Sequence, residues 1–550
     1  MVLRVLAAGF VCAASIWAQI SAFPRPSYFR ETFSAPPPKV ELNPPTRLKD
    51  FTVGGKLELS LRSYLELVMA NNTDIAVQRL SVEPFQNAIT RAFAPFDPLA
   101  TANFTSQRQK TPANDFLAGA QTLVQLTQPA RFGYQQLLPT GMQYNVSFAG
   151  QKVSTNSGFQ SFNPALTANL GVGFVQPLIR NRGTYINKLP IMVARSRRRK
   201  ADYDLRAQLL FLVANAENAY WDVVLARENL KVQESALKLA EEALKRAERE
   251  LELGAMSPLD IYNPQQQKAT AEIGVSQARF ILDQRENALR RQIGADLDPD
   301  VRKLPIELTE TVPPSVDEPP IDAEKEVARA LELRPDLKSQ VQNLDIDDLQ
   351  IKSARNSLLP DLSLTGGYTS QGRGGTFYER ENIFNESGVP SSQIVNVVPG
   401  GFGDALSQLF GFGYPVYSFG LQLRLPIRNR AASADLADAL VARRQDALLV
   451  RSFQQQVRLD VLNAVSQVES SKASMKLAVT ALDFAQKYLD AEQKKYDLGT
   501  SQIFFVLQAQ QALVNAQSTV VQNSVQYRKN LLGLLQRTGE LLDARGIVVQ

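Results

Sequence analysis

Histidine is absent from all 550 residues, and Cys12 is the only cysteine. A general-base imidazole, a histidine triad and a His/Cys metal centre are therefore excluded by composition. Carboxylates are plentiful, with 55 Asp and Glu beside 60 Lys and Arg. They mix with cations along helix-patterned stretches, as in Glu241-Glu242, Lys245-Arg246 and Glu248-Arg249-Glu250. That pattern reads as a solvated face with i,i+4 pairs. No Walker-type glycine loop occurs, so no nucleotide hydrolysis is expected. The residue types point away from an enzyme and from any cofactor. A net charge of +5 marks no polyanion binder, which argues against nucleic acid.

Two long helical hairpins dominate the chain instead. Leu230, Leu237, Leu244 and Leu251 fall seven residues apart, and Gly254 and Ser257-Pro258-Leu259-Asp260 follow. Met475, Leu482, Leu489 and Tyr496 repeat the spacing before Gly499 and Gln502-Ile503-Phe504-Phe505. Each second member lies 245 residues after its partner (475 − 230, 499 − 254). A coiled-coil seam running to a glycine stop, then a return helix, predicts the same hairpin twice. The long helices are expected over about 188–253 and 432–498, and the return helices over about 258–294 and 502–538. Flanking Ala226, Ala240, Ala247, Ala478 and Ala485 permit close helix approach. Asn263-Pro264 comes one turn too late for a helix started at Pro258 and should kink or delay it.

The segments before the hairpins also match. Leu57–Phe93 and Val327–Leu359 read as helical, with Asp336 and Pro360 each 262 residues after Asp74 and Pro98 (336 − 74, 360 − 98). Asn71-Asn72-Thr73-Asp74 offers a break and a new N-cap. After each proline the period changes to two, predicting strands at about 99–110 and 361–370, then at about 166–178 and 417–427. Their alternate faces are apolar and polar, and Arg424 between Leu423 and Leu425 suits a polar lumen. A half-buried sheet in a soluble protein would alternate in the same way. Between strands, Lys110–Pro164 and Gly372–Tyr414 are long and polar. Met142–Val153 within the first also alternates, and is either a hairpin outside a membrane or two more spanning strands.

At the start, Arg4 and the apolar run Leu6–Trp17 predict a signal peptide over 1–22, cleaved after Ala18 or Ala22. Gly9-Phe10-Val11 before Cys12 does not match a lipobox. The proline-rich stretch 23–56 should be extended, and no later segment holds about 18 uncharged apolar residues. Repeats are expected over 57–296 and 321–545, with 297–320 as a proline-rich acidic linker.

This order of elements resembles the TolC-type outer-membrane efflux family. The resemblance is carried by the Asn71–Asp74 and Leu333-Arg334-Pro335-Asp336-Leu337 helix breaks, Pro360-Asp361-Leu362-Ser363-Leu364 and Gln176-Pro177-Leu178. It is also carried by Ala219-Tyr220-Trp221-Asp222 and by the two glycine hairpins. It implies an α+β membrane protein, a homotrimer whose outer-membrane β-barrel continues into a periplasmic helical tunnel. Four strands per chain would make a 12-stranded barrel. The implied function is a passive exit duct of a tripartite efflux or type I secretion system. Its partners would be a periplasmic adaptor, an inner-membrane pump and outer-membrane lipid. The alternative is a periplasmic or secreted coiled-coil scaffold without channel activity.

In the family, acids just after the second glycine hairpin narrow the periplasmic tip. Six and nine residues after Gly499 stand Phe505 and Gln508, whereas six after Gly254 stands Asp260. Phe504, Phe505, Gln508 and Asp260 are therefore the candidate gate. An apolar ring closes a pore by dewetting; simple packing of the two phenylalanines within the hairpin is the competing reading. Gly254, Ser257, Gly499 and Gln502 are the candidate adaptor-docking tips, and Gln422 and Arg424 the candidate barrel lumen.

Overall fold

The computed structural model describes residues 45–113, 119–158, 160–254, 256–310, 320–380 and 393–548. The signal segment 1–22, the proline-rich run to residue 44, linker residues 311–319 and loop residues 381–392 lie outside the described residues. The chain divides into units Met1–Thr46 and Arg47–Gln550, and every described element belongs to the second.

Six helices carry the design. α4 (Leu189–Glu252) and α9 (Arg430–Asp497) are the long ones, and α5 (Tyr262–Gln292) and α10 (Ile503–Thr538) return beside them. α6 (Ala323–Leu333) and α7 (Pro335–Ser357) precede the second long helix. At 1.5 Å per residue, α4 and α9 each span roughly 100 Å. In the first half the equivalents of α6 and α7 are α1 (Leu61–Asn71), α2 (Thr73–Leu80) and α3 (Glu83–Arg91). The starts of α6 and α7 lie 262 residues after those of α1 and α2 (323 − 61, 335 − 73). Asn72 makes the first break: its Oδ1 accepts the N–H groups of Asp74 and Ile75 at 2.9 and 3.2 Å. Its amide donates to Gln292 Oε1 at 2.7 Å, tying the break to the end of α5.

Several boundaries differ from the expectations, each for a readable reason. Leu57 does not begin a helix. Lys56–Leu59 (β2) is a strand, antiparallel to Thr52–Val53 (β1) and parallel to Ile306–Leu308 (β8). The end of the proline-rich stretch and the linker thus form a small sheet with buried Leu48, Leu57, Leu59 and Ile306. Pairing across about 250 residues leaves no local periodicity to read. The return helix α5 starts at Tyr262, which puts Pro264 in its first turn, where no backbone N–H is required. Pro264 delays that helix and does not kink it. One window of α4 is long and apolar enough to cross a membrane by composition alone, and 61% of it is buried inside the protein.

That buried part of α4 is the main core. Tyr64 and Tyr220 are fully buried with ring centroids 5.5 Å apart. Their hydroxyls donate to Ala216 O (3.1 Å) and Leu59 O (3.2 Å). Each buried ring contributes roughly 1.5–3 kcal/mol, and the hydrogen bonds remove the cost of burying the hydroxyls. Glu217, one residue after Ala216, is 1% exposed and accepts a two-pronged bond from Arg545 at 2.9 and 2.5 Å. The C-terminal segment is thereby locked to α4.

The β section is one antiparallel sheet in the order β12-β9-β7-β6-β5-β3, with β4 also on β5. Its strands are β3 (Leu99–Phe104), β4 (Gln107–Pro112), β5 (Thr122–Leu137), β6 (Gln143–Thr155), β7 (Ala165–Pro177), β9 (Asp361–Gly374) and β12 (Tyr414–Arg424). The four strands implied by the resemblance are therefore incomplete. Lys110–Pro164 supplies β5 and β6, paired along 13 positions, between β3 and β7. The register aligns the alternation across β3, β5, β6, β7, β9 and β12. One face collects Phe104, Phe132, Tyr134, Val146, Phe148, Leu170, Val172, Phe174, Leu364, Tyr368, Tyr417, Phe419, Leu421 and Leu423. The other collects Thr101, Asn103, Gln125, Arg131, Gln135, Asn145, Ser147, Thr167, Asn169, Ser363, Thr365, Thr369, Ser418, Gln422 and Arg424. A small separate ribbon, β10 (Phe377–Arg380) with β11 (Ile394–Val398), precedes helix α8 (Phe402–Phe410).

Two stability predictions follow from these placements. Gly499 has φ +72 with nothing within 4 Å of a built Cβ, so Gly499→Ala meets backbone strain alone. It should cost about 1–2 kcal/mol, read as a lower thermal midpoint of the helical circular-dichroism signal. Asp347 on α7 is 7% exposed. Burial first, then Asp446 and Asp348, push its carboxyl up to about 6. Below about pH 4 it is protonated folded and unfolded alike, and contributes nothing. As pH rises from about 4 to about 6 the unfolded chain gives up this proton while the folded state keeps it, so stability is lost over that window and the loss is complete above 6. Asp347→Asn should raise the midpoint at pH 7.5 and leave it nearly unchanged at pH 4; an equal effect at both would refute this.

Candidate functional site, the hairpin tips

Both long helices end at a glycine for the same physical reason. Gly254 (φ +70) and Gly499 (φ +72) adopt the left-handed conformation that stops a helix cheaply only without a Cβ. Their N–H groups donate to Leu251 O (3.0 Å) and Tyr496 O (2.9 Å). At the second tip the Thr500 N–H adds a bond to Lys495 O at 2.9 Å. Ser501 Oγ reaches Glu492 Oε2 at 3.1 Å, and Lys495 Nζ lies 2.6 Å from Glu492 Oε1. The Lys495 ammonium holds the Glu492 carboxyl below its usual range.

Beyond the glycines the two turns diverge. In the second, Gln502 has extended backbone and α10 begins at Ile503. Ile503 and Leu507 pack on Ala247 with Met256 and Tyr496, and Val506 packs with Leu489, Ala509 and Leu513. Phe504 and Phe505 point away from these contacts, 52% and 43% exposed, edge to face at 5.6 Å. Gln508 is exposed on the same side, one turn on. Within this chain the packing is done by their aliphatic neighbours, not by the two phenylalanines.

Asp260 is exposed too, but it is not in a helix. Its N–H donates to Ser257 O at 3.0 Å, closing a turn before α5 begins at Tyr262. Ser257 Oγ accepts the Leu259 N–H at 3.3 Å, so it caps this turn and not the return helix. The equal spacing of Asp260 and Phe505 from their glycines therefore does not give them equal places. Phe505 is the third residue of its helix, a position held in α5 by Pro264. Gly254, Ser257, Gly499 and Gln502 are all exposed at the tips. Gln422 and Arg424 lie far from them, on the polar face of the sheet opposite Ser363 and Asp361.

One group at the tips was hidden in the sequence. Arg246 of α4 is 2.6 Å from Asp497 of α9 and 3.0 Å from Glu250. Its guanidinium lies 4.9 Å from the ring centre of Tyr496, whose hydroxyl also hydrogen-bonds Glu250. The two hairpins are thus clamped together close to their glycines, from about two turns before Gly254 on one side and within one turn of Gly499 on the other. Asp497 above all, then Glu250, raises the affinity of Arg246 for its proton. Burial and the Glu250 carboxylate push the Tyr496 hydroxyl well above its ordinary value. In sequence, Arg246 and Glu250 look like one more i,i+4 surface pair. The available signal was Tyr496, a polar aromatic at the seam position where Leu251 stands in the first copy.

A sheet joined to two long helical hairpins is a fold this chain shares with solved outer-membrane channels. A family model described as outer membrane efflux protein matches residues 64–295 and 327–540. The probable efflux pump outer membrane protein TtgC of Pseudomonas putida is 19% identical over 465 residues, 84% of this chain and 79% of that protein. The outer membrane protein TolC of Escherichia coli is 25% identical over 343 residues, 60% of this chain and 62% of that one. Among solved structures, CusC aligns with TM-score 0.61 at 16% identity, covering 92% of this chain and 99% of that chain. The CmeC outer membrane channel of Campylobacter jejuni aligns with TM-score 0.58 at 16% identity, covering 90% and 87%. The chain belongs to the outer membrane efflux protein family: it is an outer-membrane, efflux-channel protein and not an enzyme.

Proposed function

We propose that this chain is the passive exit duct of a tripartite efflux or type I secretion system, working as a homotrimer. The observation that carries this reading is the sheet. Large side chains of its apolar face are exposed on β3, β5, β7 and β12, with Phe419 78% exposed, while its other face is mainly polar. That is the pattern of a barrel wall with lipid outside and water inside, Gln422 and Arg424 included in the lumen. The order contains six strand positions per chain, so closure by three copies would give eighteen strands, a wider outlet than twelve. A scaffold without channel activity has no use for such a face.

The equal offsets of helices and hairpins support an internal duplication over 57–296 and 321–545. The long helices would form the periplasmic tunnel, and the tips around Gly254, Ser257, Gly499 and Gln502 would meet the adaptor. With no phosphate-binding loop in the chain, the energy comes from the adaptor's inner-membrane pump.

Gating would act at the tips. The Arg246–Asp497 and Tyr496–Glu250 contacts hold the second hairpin against the first, and Phe505 with Phe504 faces away from them, where three copies would form an apolar constriction. Asp260, in its separate turn, would add a charged ring beside it. The clamp's side chains are partly exposed, so each pair contributes about 0.2–1 kcal/mol. Arg246→Ala should therefore raise the open fraction of purified trimers in planar bilayers by up to about fivefold. Phe505→Ala should raise closed-state conductance independently. Unchanged conductance in Phe505→Ala removes the aromatic ring as a gate, and unchanged conductance in both variants removes tip gating. Failure of the wild-type trimer to conduct at all would overturn the duct itself.

A further inference from the structure

Helix α8 is a short element with a place of its own. It lies against the apolar face of the sheet, at the end of β7 and β9 farthest from the long helices. The sheet is shaped to receive it. Large side chains cover that face elsewhere, but Gly150, Ala168, Ser370, Gly372 and Gly374 occupy the seat. A Cβ on Gly372 would stand 1.9 Å from Ala405 O, and one on Gly374 2.2 Å from Gly401 O. Ala405 and Leu409 are fully buried there, and Ser370 Oγ donates to Leu409 O at 2.7 Å. Three rings of the segment stay open at its margins: Phe410 is 62% exposed, Phe402 reaches over Gly150 of the seat and is still exposed at its edge, and Phe412 is exposed beside the sheet. Phe412 also meets Tyr368 of the apolar face, with ring centroids 6.2 Å apart. The one charge on α8, Asp404, is used at its start, where it accepts the Gly401 N–H at 2.7 Å.

Beside this seat, the same face turns cationic at the rim. Lys152 on β6 stands opposite Leu166, which stands opposite Gly374. It is thus two residues, about 7 Å, along β6 from Gly150 of the seat. Arg108 and Lys110 on β4 continue the row, opposite Leu126 and Val124 of β5. All three are exposed, and none has an acidic partner within salt-bridge distance among the described residues.

We propose that α8 and this row form a docking site for phosphate-bearing lipid of the outer leaflet. Acyl chains would cover Phe402, Phe410 and Phe412, and phosphate groups would meet Lys152, Arg108 and Lys110. Two observations favour lipid over a second protein. The open rings at α8 are continuous with the exposed apolar side chains of the sheet, and the three cations lie just beyond the apolar band, where headgroups of the proposed barrel's lipid would stand. An in-plane helix with an apolar face against acyl chains follows the same rule as other interfacial helices, and a cation row near anionic headgroups adds electrostatic attraction. The proposal rests on the barrel reading above.

The test uses full-length trimers carrying a nitroxide on a single introduced cysteine, reconstituted in phosphatidylethanolamine vesicles with diphosphorylated lipid A. A label at Phe410→Cys should collide several-fold more with oxygen than with a water-soluble nickel chelate, matching Phe419→Cys on the apolar face and opposing Gln422→Cys on the polar face. A label at Phe402→Cys is the second probe of the same surface. Preferential collision with nickel at 402 and 410 overturns the proposal, and so does shielding from both reagents, which means a protein neighbour. If the label at 419 also avoids lipid, the barrel reading fails instead. For the headgroup arm, lipid A should raise the temperature at which the trimer dissociates in detergent, and dephosphorylated lipid A should not. Combined Arg108→Glu, Lys110→Glu and Lys152→Glu should abolish that shift. An unchanged shift in the triple variant, or an equal one with the dephosphorylated lipid, sinks the cationic row.

Discussion

A sheet whose register is uniform can separate two solvents, and the rest of this molecule depends on that constraint. Side chains alternate across a strand, and a slip of one residue in any ladder would carry phenylalanines to the polar face and arginines to the apolar one. Here the ladders from β12 to β3 stay in phase, including through the inserted β5 and β6. An apolar face this wide finds no cover inside the chain except at α8. In the proposed duct, lipid would cover the rest of it.

The helices answer a different requirement, which is length without a globular core. A helix of roughly 100 Å cannot be buried along its whole course. α4 is anchored at one level, where Tyr64, Tyr220, Trp221 and the Glu217–Arg545 pair collect β2, α1 and the C-terminal segment around it. Toward the tips the contacts thin to alanines. Ala240 and Ala247 are buried while Leu237 and Leu244 are only half-covered. These two seam leucines of the first hairpin are thus not fully covered within one chain, unlike Met475 and Leu489 of the second, and an assembly of several copies would finish their burial.

The two halves share their spacing but not their termini. Proline 264 sets where α5 can begin, and so Asp260 falls in a turn while Phe505 falls in a helix. A four-residue difference in helix start converts what looked like one position in two copies into two different places. The polar clamp of Arg246, Glu250, Tyr496 and Asp497 has the opposite character. It joins the halves at equivalent depths, and it is built from residues whose local pattern is that of an ordinary solvated helix surface.

Periodicity by itself determined the long helices, their glycine stops, the Asn72 break and the alternating strands, because each depends on neighbours within a few residues. Composition also excluded catalysis by histidine, since a residue count needs no fold. Tertiary structure alone decided which strands pair, that β2 and β8 share a sheet, and that Lys110–Pro164 adds two strands to the main sheet. It alone brought Arg246 to Asp497, 251 residues away, and laid α8 on the apolar face. Those outcomes are set by hydrogen-bond pairing and side-chain packing between distant segments, which no local pattern encodes.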